Sequence, residues 1–368
     1  MKENWTYKKL GEVCDIYQPQ TISTEMLVPD GEYLLYGANG VIGRYDKYNH
    51  TESEVLLTCR GATCGSINVS APYSWINGNA MVIHPIDDSV FCSRSFLVYL
   101  MKSIDYSLVI TGAAQPQITR QKLSPVKIAI PPIETQSRIV SELDLLQSII
   151  DKQKAQLKEL DNLAQAVFYD MFGDPVENDK GWEVKKLGEV CDEIGDGLHG
   201  TPQYDANGSF AFINGNNLID GKIVITDKTQ FVTDAEAEKI FIAMDANTVL
   251  VSINGTLGKT AIYNNERIVL GKSACYCKLN DVLMAKFVLP LMNTQEFQLF
   301  LENNSSKSTI KNVGLKAIRN YRIILPPLSL QQSFTTKIES IEKQKAAITK
   351  SIEETQKLFD YTMDKYFG

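Results

Sequence analysis

The side chains of this chain that could do chemistry stand in short polar loops, and that chemistry is hydrogen bonding to a polyanion or to base edges. Arg60-Gly61, then Gln115, Gln117, Thr119, Arg120 and Lys122, lie in polar sequence of the first half. Asn254 to Lys259, Lys272 within Gly271-Lys-Ser273, and Lys307, Lys311, Lys316 and Arg319 lie in the second. Amide, hydroxyl and guanidinium groups read base edges, whereas Lys, Arg and bare backbone N–H groups hold phosphates. Glycine lets a backbone approach a phosphate closely and takes positive φ. Lys307 to Arg319 gathers four positive charges within thirteen residues of a chain whose net charge is −7, which marks a local basic patch. Tyr36, Asn39 and Arg44 are further candidates on the same logic. Singly, each residue also fits ordinary turn chemistry with a solvated charge; Lys307, Lys311, Lys316 and Arg319 as a group point to nucleic acid.

Catalytic signatures are missing beside these loops. Both proline pairs, 131–132 and 326–327, follow Ile130 or Leu325, so neither is the Asn/Asp-Pro-Pro-Tyr/Phe run of a methyltransferase. No Gly-x-x-x-x-Gly-Lys-Ser/Thr phosphate loop occurs. Asp234-Ala-Glu-Ala-Glu-Lys239 reads as a solvated helix start rather than a nuclease cluster. Seven cysteines form no regular framework; Cys59, Cys64, Cys275 and Cys277 sit in apolar, strand-like sequence and read as small core residues. His50, His84 and His199 are far apart, so their spacing offers no histidine metal site, and none is expected. The start of the chain does not resemble a signal peptide, and no apolar run approaches the ~20 residues of a membrane span. A cytoplasmic protein with no membrane partner is expected.

Two long helices must position these loops. After Pro131-Pro132 the chain runs to Gly173 without another Pro or Gly, and its stripe is Leu143, Leu146, Ile150, Leu157, Leu160, Ala164, Val167 and Met171, interrupted by Gln153. Alternating three- and four-residue steps keep such a stripe on one helix face, and a stripe that narrow needs a partner helix. At 1.5 Å per residue the helix is roughly 55–60 Å long. The partner follows Pro326-Pro327: adding the offset of 195 residues gives Ile338, Ile341, Lys345, Ile348, Ile352, Thr355, Phe359, Thr362 and Tyr366. Both helices close on Phe-Gly. This is an internal duplication.

The globular segments repeat too. Trp5-Thr-Tyr-Lys-Lys-Leu-Gly-Glu-Val-Cys14 returns as Trp182-Glu-Val-Lys-Lys-Leu-Gly-Glu-Val-Cys191 at an offset of 177, so the second globule is 18 residues longer. Short runs such as 33–36, 55–58, 67–69, 80–83, 210–214, 248–252, 260–263 and 275–279 read as strands between Gly and Asn signals. Residues 91–101, 282–293 and 295–302 read as short helices, and 126–130 and 321–325 as the strands before each proline pair. The expected class is α+β: two duplicated α/β domains, residues 1–131 and 174–326, separated by long helices at 132–173 and 327–368 that form an antiparallel coiled coil. A pseudo-two-fold arrangement follows, with the globules at opposite ends of the helix pair.

In order and spacing these motifs resemble the specificity (S) subunit of Type I restriction-modification systems, over essentially the whole chain. The two Trp motifs look like the opening of that family's target recognition domains. Tyr36-Gly-Ala-Asn-Gly-Val-Ile-Gly43 and Phe212-Ile-Asn-Gly-Asn-Asn-Leu218 look like its first loops. Arg60-Gly-Ala-Thr-Cys-Gly65 and Asn254-Gly-Thr-Leu-Gly258 are similar to its strand-turn-strand motif. Thr111-Gly-Ala-Ala-Gln-Pro-Gln-Ile118 followed by Ile130-Pro-Pro-Ile-Glu-Thr-Gln136 is the closest match. The second globule departs from it with Asn303-Asn-Ser-Ser-Lys-Ser-Thr-Ile310, so that loop cannot be copied across. The resemblance implies a non-catalytic subunit that reads an asymmetric bipartite site in double-stranded DNA, one half per domain. It further implies that the helices hold two modification (methyltransferase) subunits and, through them, restriction subunits. S-adenosylmethionine, ATP and Mg are then expected on those partners and none on this chain. The rival classes are a stand-alone DNA-modifying enzyme, which a methylation assay on the isolated chain separates, and a DNA-independent scaffold, which salt-dependent DNA affinity separates.

Overall fold

A computed structural model describes residues 4–112 and 115–368. The chain forms two compact units, Met1–Ala155 with Thr349–Gly368, and Gln156–Ile348. Each takes one part of each long helix.

In the first unit, β1 (Thr6–Lys9), α1 (Leu10–Val13) and β2 (Cys14–Tyr17) lead to the hairpin β3 (Tyr33–Gly37) and β4 (Gly40–Tyr45). Next come β5 (Val55–Thr58), β6 (Ile67–Val69), β7 (Trp75–Ile76), β8 (Ala80–Pro85), α2 (Arg94–Lys102), α3 (Arg120–Leu123) and β9 (Lys127–Ile130). The strands form a four-stranded sheet β2-β8-β5-β6, a three-stranded sheet β4-β3-β7 and the pair β1-β9. β5 is buried on both faces because alternate residues enter different cores. Val55 and Leu57 join Met81, Ile83, Phe96 and Leu100 on one side, while Leu56 joins Tyr36, Ile76 and Val82 on the other. That explains the unbroken apolar run in a central strand.

The second unit repeats the plan through β10 (Glu183–Lys186), β11 (Cys191–Asp196), β12 (Phe210–Ile213), β13 (Leu218–Ile219), β14 (Lys222–Ile223), β15 (Phe231–Val232) and α5 (Asp234–Ile240). It continues with β16 (Thr248–Ser252), β17 (Thr260–Ile262), β18 (Ile268–Leu270), β19 (Ala274–Leu279), α6 (Ala285–Leu291), α7 (Gln295–Asn303), α8 (Leu315–Asn320) and β20 (Arg322–Leu325). Its sheets are β11-β19-β16-β17, β15-β12-β18, β13-β14 and β10-β20. Val249, Val251, Cys275 and Cys277 face one core, and Leu250, Ala274 and Tyr276 face the other. The cysteines are thus core residues. The extra length concentrates between β12 and β16, where β13, β14, β15 and α5 occupy the place that β4 holds alone between β3 and β5.

The long helices are α4 (Ile133–Phe172) and α9 (Leu328–Phe367). They run antiparallel within each unit. In the first, the Tyr366 hydroxyl donates to Glu142 (2.8 Å) and Gln153 Nε2 donates to Ser351 Oγ (2.7 Å). In the second, Lys345 pairs with Asp161, and Phe172 packs on Phe334 with ring centres 5.3 Å apart. Every stripe position is buried or half-buried. Leu143, Ile150, Ile341, Phe359, Thr362 and Tyr366 are buried, and Leu146, Leu157, Leu160, Val167, Ile338, Ile348 and Ile352 are half-buried. Gln153 and Lys345, the polar interruptions, each meet a polar partner on the opposite helix.

The proline motifs end on matched glutamines. Gln136 is 1% exposed; its Oε1 accepts from Cys92 N–H, and its Nε2 donates to the Val90 and Pro131 carbonyls, each at 2.9 Å. Gln331, fully buried, accepts from Met284 N–H (2.9 Å) and donates to the Val282 (3.0 Å) and Pro326 (2.9 Å) carbonyls. Each amide fastens the first turn of a long helix to the loop leading into α2 or α6. Gln331→Leu should strand three backbone groups, one buried and two part-buried, and lower stability by about 2–4 kcal/mol. Chemical denaturation of the variant measures the loss, and an unchanged midpoint would contradict the pin.

Candidate nucleic-acid interface

One loop cluster is built twice, once in each unit, by the same backbone hydrogen bonds. In the first unit the turn between β5 and β6 is closed by Thr58 N–H to Ser66 O (2.8 Å) and Gly65 N–H to Thr58 O (2.9 Å). The segment before α3 docks on it through Gly61 N–H to Pro116 O and Ile118 N–H to Cys59 O, both 3.0 Å. In the second unit Ser252 N–H donates to Lys259 O (2.8 Å) and Gly258 N–H to Ser252 O (3.0 Å). There the segment before α8 docks through Gly255 N–H to Lys311 O (3.0 Å) and Val313 N–H to Ile253 O (2.9 Å). Gly61, Gly65, Gly255 and Gly258 all have positive φ, from +76° to +98°, which glycine adopts without strain. An added Cβ at Gly61 or Gly255 would meet open space, so backbone conformation is what asks for glycine there.

Two further loops join each cluster. In the first unit, Thr58 Oγ1 donates to Ala38 O (2.6 Å) at the β3–β4 tip, and Asn68 Nδ2 donates to Asn39 Oδ1 (2.7 Å). Gln18 Nε2 donates to Gly78 O (2.7 Å), drawing in the turn before β8. In the second, Ser273 Oγ accepts from Gly215 N–H and Ser273 O from Ile253 N–H, both at 2.9 Å.

The candidate residues divide accordingly. Arg60 and Gln115 are exposed on the first cluster and Gln117 is half-buried there, bridged to Arg60 and Thr111; Ala113 and Ala114 lie outside the described residues. Thr119 caps α3, accepting from Lys122 N–H. Arg120 and Lys122 are exposed, Arg120 within 3.4 Å of Asp15. On the second cluster Asn254 is half-buried and donates to Asn312 Oδ1 (3.3 Å), Lys259 is half-buried, and Lys272, Lys307 and Lys311 are exposed. Lys316 and Arg319 are exposed on α8, the next element.

Three candidates have side chains already engaged by the protein. Tyr36 is 7% exposed, and its hydroxyl accepts from Ala71 N–H (2.9 Å), so its ring belongs to the core between the sheets. Arg44 lies along β4 with its guanidinium on the carbonyls of Gly31 (2.5 Å) and Glu32 (3.0 Å), away from the tip that carries Asn39. Arg319 donates to Ile194 O (2.6 Å), so part of its fork is already engaged. Other polar side chains on the two clusters were not singled out from the sequence: Gln18 and Asn68 in the first unit, Asn312 in the second, and there Asn214, which accepts from Asn216 N–H. Carrying the candidates across the duplication would have reached Asn216, from Asn39 by 177 residues, and Asn312, from Gln117 by 195.

The chemistry on offer is recognition. Burial pushes the Cys14 thiol up to about 12, removing a nucleophile. Burial, the hydrogen bond to Glu193 and the nearby carboxylates push the Tyr276 hydroxyl up to about 12 as well. Among the described residues no group of three or more His, Cys, Asp and Glu side chains could hold a metal, and no helix is long and apolar enough to cross a membrane.

Comparison with known proteins agrees with this architecture. The family profile described as Type I restriction modification DNA specificity domain matches residues 2–162 and again 179–357. A Haemophilus influenzae protein described as a type I restriction enzyme specificity subunit is 22% identical over 96% of this chain and 93% of its own length. A Methanocaldococcus jannaschii type I restriction enzyme specificity subunit is 22% identical over 84% of this chain and 76% of its own. Among solved structures, the S subunit of a type I system from M. genitalium superposes with a TM-score of 0.63 at 14% identity, covering 99% of this chain and 96% of that one. A chain from a type I system structure on complex assembly and conformational transition gives 0.57 at 19% identity, over 99% and 97%. With the profile matched twice along most of its length, the chain belongs to the Type I restriction modification DNA specificity family, as a non-catalytic DNA-recognition subunit.

Proposed function

We propose that each unit reads one half of a bipartite, asymmetric site in double-stranded DNA. The observation that carries this reading is the paired loop cluster: one backbone frame built twice, presenting Arg60, Gln115 and Gln117 in one unit and Asn254, Lys311 and Asn312 in the other. Matched frames suit the same kind of duplex surface, and unlike side chains suit different base sequences. In this reading S-adenosylmethionine, ATP and Mg belong to modification and restriction partners, and the complex works in the cytoplasm.

The outer faces of the long helices support two modification subunits. Leu163 on α4 is 47% exposed and Leu358 on α9 is 51% exposed, and the two occupy the same position of the duplication, 195 residues apart. Neither belongs to the buried stripe. A repeated exposed leucine suits two equivalent contacts, each with one methyltransferase subunit, which in turn recruits a restriction subunit.

Three outcomes follow. Exchanging residues 178–326 for those of a relative should change one half of the methylated sequence and leave the other, as read by methylome sequencing; a change in both halves contradicts modular reading. Lys311→Ala with Lys316→Ala should weaken duplex binding and reduce the logarithmic salt slope by roughly 0.9 per lost phosphate contact, and an unchanged slope places the patch off the DNA. Leu163→Glu and Leu358→Glu should each remove one modification subunit from the complex, and the double variant both, as counted by native mass spectrometry; full assembly of the double variant excludes this docking face.

A further inference from the structure

We infer that His199 reads a base edge in the half-site taken by the second unit and helps to set its specificity; this rests on the DNA-recognition reading above. His199 follows β11 on a loop zipped onto the cluster. Leu198 N–H donates to Leu270 O (2.8 Å), and Lys272 N–H donates to Leu198 O (3.0 Å). The His199 loop therefore lies beside the Lys272–Ser273 turn, whose Ser273 in turn fastens Gly215 and Ile253.

The ring is held in one orientation by a neighbour with fixed chemistry. His199 Nε2 lies 2.8 Å from Asp196 Oδ2. A carboxylate accepts and does not donate, so Nε2 carries the proton and the neutral ring keeps Nδ1 as an acceptor. Asp196 is largely covered, with 22% of its side chain exposed, whereas the His199 side chain is 71% exposed. Nδ1 has no protein partner among the described residues. An exposed acceptor, on a loop that enters the major groove, suits the exocyclic amino group of adenine or cytosine, N6 or N4. Asp196 is a positioning residue in this arrangement, because it selects the tautomer that presents the lone pair.

The matched loop of the first unit lacks this device. By strand register Gln18 stands where Asp196 does, since Tyr17 faces Val82 as Gly195 faces Tyr276, and its amide is spent on Gly78 O (2.7 Å) and Cys59 Sγ (3.2 Å). The same loop thus braces the cluster in one unit and presents a reader in the other.

The test uses the full chain assembled with its methyltransferase subunits. His199→Ala and His199→Gln are compared with wild type on duplexes in which each base pair of the second half-site is altered in turn. His199→Ala should cut discrimination roughly tenfold at one adenine or cytosine position and leave the first half-site unchanged. His199→Gln, whose amide oxygen is an acceptor, should restore part of it. A uniform loss across all duplexes, as from a damaged loop or a lost phosphate contact, overturns the proposal, and so does unchanged discrimination. The Lys311→Ala, Lys316→Ala protein is run in parallel. If it still weakens DNA binding while His199→Ala does nothing, only the histidine assignment fails; if neither has an effect, the cluster does not face DNA.

Discussion

The structure depends on an apolar seam that neither long helix can bury alone. The first part of α4 supplies Ile139, Leu143 and Ile150 to a core that also needs Phe359 and Tyr366 from the end of α9. The second unit's core takes Phe168 and Phe172 from the end of α4 and Phe334 from the start of α9. Phe172 lies 4.7 Å from Phe287 and 5.3 Å from Phe334, ring centre to ring centre. Fully burying one such aromatic contributes on the order of 2–3 kcal/mol, so each globule leans on chain from both repeats. A unit cut at its proline pair would expose this surface. Duplication supplies a second helix, and antiparallel pairing gives each unit both of the helix parts it requires.

From the seam, position passes outward through hydrogen bonds to the backbone. Gln136 and Gln331 fasten the helix starts to the loops before α2 and α6, and those helices cover one face of the four-stranded sheets. The central strands β5 and β16 then run directly into the turns at Cys59 and Ile253. Because the turns are closed by main-chain N–H and C=O groups, their shape is indifferent to most side chains. Arg60-Gly-Ala-Thr-Cys-Gly65 and Asn254-Gly-Thr-Leu-Gly258 differ by one residue in length and still share the closing bonds. The loop sequences before α3 and α8 diverge more, yet they dock through equivalent pairs of bonds. Side chains can therefore change at these positions with little strain on the frame.

This division explains what could be read from the sequence. The helical stripe from Leu143 and from Ile338 was legible because a period repeated over forty residues, and again 195 residues later, follows helix geometry; Ile139, Phe168, Phe172 and Phe334, which also fill the seam, lie outside it. The central strands were legible as apolar runs bounded by turn residues. Tyr36 and Arg44 were misplaced because residue type does not tell which face of a hairpin is covered: Tyr36 points into the space between two sheets, and Arg44 turns back on its own loop. The strands β13, β14 and β15, two residues each, carry no periodicity to detect. His199 looked like an isolated histidine because the Lys272 turn reaches it only through backbone pairing, although Asp196 stands three residues before it in the sequence.

The added segment of the second unit shows where such a frame tolerates growth. It enters beside β12, at the edge of the three-stranded sheet, and leaves β16 and β19 with the register that β5 and β8 have in the first unit: Leu250 faces Tyr276 as Leu56 faces Val82. The inserted strand β15 takes the edge that β4 occupies in the first unit, so the sheet keeps three strands and no new edge is left bare. α5 closes over that edge with Ala237 against Val232 and Val269. Growth at a central strand would have shifted every buried residue to the wrong face. Growth at the edge leaves the turn that carries Asn254 where the core puts it. The side of each unit away from the helix seam is thus free to differ in size and in side chains, and the two loop clusters of one chain need not resemble each other.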